Sequence, residues 1–290
     1  MQLNRRDSIL LLVPATLLYA VFVVLPVFVG FYYSFSDLSG IQSVLHFVGF
    51  DNYLRVVQDS RFWNSFQNTV IFTLIYAVLS NLLGLVIALL LELRMSRIYK
   101  NTMRVLFYLP AVLTPVVVGY IWYYLYKVGI PEFFSTIGLV DIAKFEFIGT
   151  SSALYATAFV TVWMQTGTAM IIFIAGLSNI PNELHEAAHI DGATQFQIFR
   201  HISIPMVSYS FMINLILSII NGFKQFDQIF TMTKGGPGKS TETVSLLIYS
   251  KGFQAGDMSY ACTVSFFLLV VVMLISTMII RYFREGGEQV

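Results

Sequence analysis

Two histidines one helical turn apart, with a glutamate between them, open the stretch HEAAHIDG at residues 185–192. The spacing satisfies H-E-x-x-H, in which both imidazoles bind zinc and the carboxylate activates a water. All eight residues also satisfy the start of H-E-x-x-H-x-x-G-x-x-H. The chemistry on offer is zinc-assisted hydrolysis by His185, Glu186 and His189, as in an intramembrane metalloprotease. The longer pattern, however, needs a histidine at position 195, where the chain has glutamine. A catalytic zinc also needs a third protein ligand. His201 lies beyond a helix break expected at Gly192, and His46 falls across the membrane from the loop. The single cysteine, Cys262, sits in an apolar run, so a cysteine cluster and an intrachain disulfide are both excluded. The reading is of a chain with no catalytic residue and no metal or cofactor of its own.

A second stretch, GGPGKST at 235–241, has the end of a phosphate-binding loop, G-x-x-x-x-G-K-[ST]. Counting back from Gly238, the first glycine belongs at position 233, which is threonine. No strand precedes it. Gly235, Gly236, Pro237 and Gly238 instead shape a rigid turn.

The elements that must position these residues are apolar. Of the 290 residues, 57% are hydrophobic and only 11% are charged, less than half the ~25% usual in soluble domains. Stretches that can cross a hydrocarbon core of about 30 Å fall at roughly 9–31, 68–91, 105–126, 153–178, 204–222 and 259–280, and none contains Asp, Glu, Lys or Arg. The fold class is all-α integral membrane, six transmembrane helices in one domain over 1–290. The net charge of +1, with no basic run beyond Arg5-Arg6, gives no case for nucleic acid. RMSRIYKNTMR (94–104) supplies four basic residues and no acid. By the positive-inside rule, both termini and the 179–205 loop face the cytoplasm. The apolar region after Arg5-Arg6 is too long for a cleaved leader, and reads as a retained anchor.

With no charge in the spans, uncharged polar residues carry the signal. Asn214, Ser218, Asn221 and Gln225 are spaced 4, 3 and 4, and Thr157, Thr161, Gln165 and Thr168 are spaced 4, 4 and 3. Each set lies on one helical face. Such stripes suit a neutral, hydroxyl-rich solute; they equally suit hydrogen bonds between helices, worth about 0.6 kcal/mol each. Ser80, Gly84 and Ala88 follow the small-xxx-small rule for close helix packing, and Pro110 and Pro115 kink the third span. The lack of buried carboxylates argues against proton coupling. Energy for uphill transport then comes from a partner.

The HEAAH loop is better suited to docking. Pro181 opens a helix, Glu183 and Glu186 complement its positive end, and Gly192 ends it. Thr194 with Gln197 forms a capping box for a second short helix carrying Phe196 and Phe199. Small Ala187 and Ala188 let another surface approach.

EAAHIDGATQFQIFRHISIP (186–205) resembles the EAA loop of bacterial ABC-importer permeases: E-A-A, three residues, G, nine residues, I-x-L-P. Glu186-Ala187-Ala188, Gly192 and Ile202-x-Ile204-Pro205 match in register, with Ile for Leu. FVGFDNYLRVVQDSRFWNSFQNT (47–69), FYLPAVLTPVVVGYIW (107–122) and FDQIFTMTKGGPGKSTET (226–243) resemble the carbohydrate (maltose/glycerol-phosphate) subfamily, and the T-x-G-G-P segment its first paired permease.

The resemblance implies a type I ABC-importer permease in the bacterial inner membrane. It implies a second permease subunit in a heterodimer, an ATPase dimer that binds ATP and Mg, and an extracytoplasmic solute-binding protein. Glu186, Ala187, Ala188, Asp191 and Gly192 would then contact the ATPase; Phe196 and Phe199 join them on chemical grounds. The sugar path would draw on Thr161, Gln165, Ser218, Asn221 and Gln225, with Trp163 and Phe223 as stacking candidates. A glycerol-phosphate substrate would want Arg or Lys near the path, where only Lys224 offers itself. A neutral oligosaccharide fits better.

Overall fold

The computed structural model describes residues 5–38, 45–93 and 96–287. Arg94 and Met95 of the basic segment therefore lie outside the described residues. The chain divides into two compact units, residues 1–63 with 247–270, and residues 64–246 with 271–290.

In the first unit the helix is unbroken from Arg5 to Ser34, widening to a π-turn at Ala20–Val24 just before Pro26. Pro26 has no N–H for the i−4 carbonyl, and a local π adjustment absorbs the mismatch. A two-residue hairpin pairs Ser36–Asp37 with His46–Phe47. Asn52, on the helix Asp51–Gln58, donates to the carbonyls of Ser34 and Ser36 at 3.1 and 2.9 Å. Asp59 caps the helix that follows: its Oδ1 accepts the Arg61 N–H at 2.8 Å, and its Oδ2 accepts the Tyr260 hydroxyl at 2.6 Å. Lys251 Nζ stands 3.8 Å from the same carboxylate.

The second unit carries most of the helix Ser60–Glu92 and all of Ala153–Ser178. At 1.5 Å per residue both are longer than the ~30 Å core. Inside a membrane, packing rather than the hydrophobic effect joins helices, and here it does so through small residues. A Cβ on Gly84 would stand 2.7 Å from Ala169 Cβ and 2.9 Å from Met170 N. Ser80 and Ala88, one turn to either side, are fully buried, as the small-xxx-small spacing predicts. Met170 and Phe173 pack beside Ala88 and Leu91. Gly167 lets the backbone of Phe107 and Tyr108 lie directly on Ala153–Ser178.

Two predicted spans are not straight. The third, expected over 105–126, is a pair of helices, Arg97–Val112 and Pro115–Thr136, meeting at 93°. The proline ring bars the helical conformation from the residue before it, and Leu113 and Thr114 are extended, at ψ 145° and 134°. The fifth, expected over 204–222, bends by 58° at Val207, between Phe196–Met206 and Ser208–Phe223. Pro205 leaves one helical carbonyl without its donor, and a π-turn at Phe199–Ser203 precedes the break. Four helices are long and apolar enough to span alone, or six with each bent pair counted as one.

The segment after the fifth span is helical over Asp227–Met232, then turns through GGPG. Lys234, Gly235, Gly238 and Lys239 have positive φ, and the Gly236–Pro237 peptide is cis. Thr241 Oγ1 donates to Gly236 O at 3.0 Å, and Asn68 Nδ2 donates to Glu242 O at 3.1 Å. The turn's polar groups thus bond to its own backbone and to the helix Ser60–Glu92.

Candidate functional site

The loop after Ala153–Ser178 is two short helices joined by a tight stop. Pro181, extended at ψ 133°, precedes the helix Asn182–Ile190. The stop is a Schellman motif: Ala193 N donates to Ala188 O at 2.9 Å and Gly192 N to His189 O at 3.1 Å. Gly192 takes φ +73° there, a conformation that costs a side chain roughly 1 kcal/mol or more. Thr194 and Gln197 then cap the second helix reciprocally. Thr194 N donates to Gln197 Oε1 at 2.7 Å, and Gln197 N donates to Thr194 Oγ1 at 3.3 Å.

This arrangement presents Glu186, Ala187, Asp191 and Gly192 to the outside, with Ala188 half-buried beside them. Ala188, Asp191 and Gly192 line a shallow cleft of ≈ 350 Å³ with His201. Phe196 is 66% exposed. Phe199 is half-buried and lines a groove of ≈ 560 Å³ with Leu89, Leu93 and His185. Of the two phenylalanines chosen from the sequence, then, Phe196 stands exposed and Phe199 is half-buried, their ring centroids 6.5 Å apart. Ile190, which sequence reasoning missed, is 86% exposed at the end of the first helix. A β-branched apolar residue one turn after Glu186, just before a glycine stop, was the available signal. The loop thus shows an exposed face of acid, small and apolar groups on a backbone fixed by its own hydrogen bonds. Such a face suits a protein cleft.

His185 and His189 do not gather a metal-binding set. Among the described residues no group of three His, Cys, Asp or Glu side chains converges. His201 Nδ1 instead lies 3.0 Å from the carbonyl of Gln197, within its own helix.

The polar stripes meet inside the second unit. Gln165 and Thr168 of one helix, and Asn214, Ser218 and Asn221 of another, line a common crevice. The helix Ser60–Glu92 completes it with Tyr76 and Ser80. Asn81 Nδ2 donates to Ser218 Oγ at 3.0 Å, and Asn214 Nδ2 donates to Ala169 O at 3.2 Å. Thr73 Oγ1 and Asn81 Oδ1 are buried with no hydrogen-bond partner among the described residues. The crevice holds only ≈ 40 Å³, against ~300–1,000 Å³ for a ligand site. The crevice reaches the surface where Asn221 is exposed.

Two chosen path residues stand elsewhere. Thr161 is 2% exposed and donates to Thr157 O at 3.2 Å. Gln225 lies beyond the helix end, where its amide bonds Gln228 Oε1. Of the stacking candidates, Trp163 is 40% exposed and packs edge-on to Trp122 at 5.5 Å; Phe223 is buried. Tyr76 and Asn81 were missed. Thr69, Thr73, Tyr76 and Ser80 repeat the 4, 3, 4 spacing of the stripe that begins at Asn214, and all four are buried.

Comparison with known proteins places this geometry. Residues 80–284 match the family model described as "Binding-protein-dependent transport system inner membrane component". A "Probable starch degradation products transport system permease protein" of Thermoanaerobacterium thermosulfurigenes is 32% identical, over 95% of this chain and 94% of its own. A "Multiple sugar-binding transport system permease protein" of Streptococcus mutans is also 32% identical, over 98% of this chain and 97% of its own. Among solved structures, a bacterial ABC transporter involved in import of the acidic polysaccharide alginate has a chain of the same fold. Its TM-score is 0.82 at 20% identity, covering 97% of this chain and 96% of that one. The chain belongs to the family of inner-membrane components of binding-protein-dependent transport systems.

Proposed function

We propose that the chain is the permease subunit of an ATP-driven importer that carries a neutral sugar or oligosaccharide across the inner membrane. A separate ATPase dimer, which binds the ATP and Mg, engages the 179–205 loop from the cytoplasm. Both chain termini lie on that side. A second, distinct permease completes the path, and an extracytoplasmic binding protein delivers the solute.

The observation that carries this reading is the loop. Its exposed Glu186-Ala187, Ile190 and Phe196 sit on helices held by a Schellman stop and a capping box. A rigid surface transmits a push; a mobile one would absorb it. The loop joins Ala153–Ser178 directly to the bent helix that ends in Ser208–Phe223, and these two carry the polar stripes. Movement at the loop therefore acts on the crevice that must open.

The solute class follows from the crevice. Its polar lining is amide and hydroxyl, with no Lys or Arg. A phosphorylated solute would favour a cation there, and Lys224 lies past the end of Ser208–Phe223.

The test is ATP hydrolysis by the reconstituted importer with its binding protein, over a panel of maltose, trehalose, raffinose and glycerol 3-phosphate. A neutral sugar should stimulate hydrolysis, and Ser218→Ala with Asn221→Ala should raise the concentration needed. Sugar uptake without an ATPase, or stimulation by glycerol 3-phosphate alone, would overturn the reading.

A further inference from the structure

At the end of Ala153–Ser178 remote from the 179–205 loop, the second unit carries a cavity that the proposed path leaves unused. It measures ≈ 670 Å³, within the ~300–1,000 Å³ typical of small-molecule sites. Its wall includes Tyr126 and Phe147, whose rings stack at 5.1 Å and 21°, with Phe145 edge-on to Phe147 at 4.8 Å. The wall is stiff. Tyr126 is buried among Val118, Ala156 and Met232, and its hydroxyl donates to Ala156 O at 3.2 Å. Another part of the lining is the hydrogen-bonded GGPG turn, through Gly236 and Pro237.

Three charged side chains complete the cavity. Lys127 Nζ is 3.2 Å from the Tyr123 hydroxyl, which fixes one of its donors and leaves others free. Lys144 has no ion-pair partner among the described residues. The Glu146 carboxylate folds back against Gly149, where any side chain would strike it. The cavity therefore joins aromatic rings, of which Phe145 is 49% exposed, to ammonium donors and one carboxylate acceptor. A pyranose needs all three, a plane for its C–H face and donors and acceptors for its hydroxyls. Two ammonium groups beside one carboxylate offer donors and an acceptor together, which a polyhydroxyl ligand uses and an apolar ligand leaves unpaired.

We infer that this cavity is a second saccharide subsite, outside the membrane path, that takes a ring of a neutral sugar. It rests on the sugar reading above.

The test uses the assembled importer in phosphatidylcholine nanodiscs, without binding protein. Saturation-transfer NMR reads contact with maltotriose, trehalose and raffinose. The expected result is that at least one gives signal that survives Ser218→Ala with Asn221→Ala. Lys127→Ala should weaken it about tenfold, as for loss of one charge-assisted hydrogen bond. Both lysines are exposed, so Lys127→Ala and Lys144→Ala leave the fold intact. Signal lost only in the Ser218/Asn221 variant overturns the inference and leaves the transport reading standing. No signal, with normal sugar-stimulated ATP hydrolysis, does the same. No signal and no stimulation removes the sugar reading too. If the lysine variants instead change retention of phosphatidylglycerol and leave sugar contact unaltered, the cavity is a lipid headgroup site and the inference fails.

Discussion

Thr194 and Gln197 bond each other in both directions, 2.7 Å from Thr194 N to Gln197 Oε1 and 3.3 Å from Gln197 N to Thr194 Oγ1. The pair restarts a helix two residues after Gly192 has stopped the previous one. Thr194→Ala should cost the second helix about 1 kcal/mol. Amides in 196–202 should then exchange about fivefold faster. If the ATPase reads this surface, sugar-stimulated hydrolysis should fall in parallel while the melting temperature barely moves.

Gly84 sits where two backbones nearly touch. Gly84→Val places atoms inside the space held by Ala169 and Met170, and should destabilise the protein by ~1–3 kcal/mol. Gly30→Val, with nothing within 4 Å of its new Cβ, is the control. A thermal unfolding series in mild detergent should show a clear drop for the first and little for the second. Equal effects would mean that the helices do not pack at Gly84.

Spans were readable because a charge in hydrocarbon is costly, so an uncharged run of twenty residues has few other meanings. The breaks at Pro115 and Pro205 were readable as prolines but not as 93° and 58° bends, because neighbouring helices set the angle of a kink. The Schellman and capping motifs are local, and Gly192, Thr194 and Gln197 announced them. Burial was less legible. Thr161 matches Gln165 in stripe position, yet its hydroxyl is used within its own helix. The stripe through Thr73 and Tyr76 had the same spacing as the one through Ser218 and Asn221. Taking Ser80 for a packing residue hid it, although it both packs and lines the crevice.

Asp59 predicts an acid limit on stability. Burial raises its carboxyl pKa, but the Tyr260 hydroxyl, the Arg61 N–H and Lys251 outweigh this and hold it below the ordinary value. A depressed folded pKa contributes stability above the unfolded value near ~3.9 and loses it as pH falls through the folded one. Asp59→Asn keeps a capping oxygen and removes the charge. Wild type should melt higher than the variant at pH 7, with the gap closing below about pH 4. A gap that stays constant down to pH 3 would mean the carboxylate is not held by these partners.

The histidines make a contrary prediction to the zinc pattern. With no third ligand beside His185 and His189 among the described residues, purified protein should carry zinc far below one ion per chain. His185→Ala should leave metal content unchanged. Elemental analysis after dialysis checks this, and stoichiometric zinc that the substitution removes would restore the hydrolase reading.

Co-purification tests the central claim, that this loop is where an ATPase docks. The tagged protein would be extracted from its native membranes in mild detergent, beside a variant with Glu186→Lys and Gly192→Pro. Proline cannot take the φ of +73° found at Gly192, and lysine reverses the charge on the exposed face. The account predicts that wild type brings down an ATPase and a second six-span subunit. The variant should remain folded and keep the second permease, but lose the ATPase. An ATPase retained by the folded variant, or wild type that emerges alone, would contradict it.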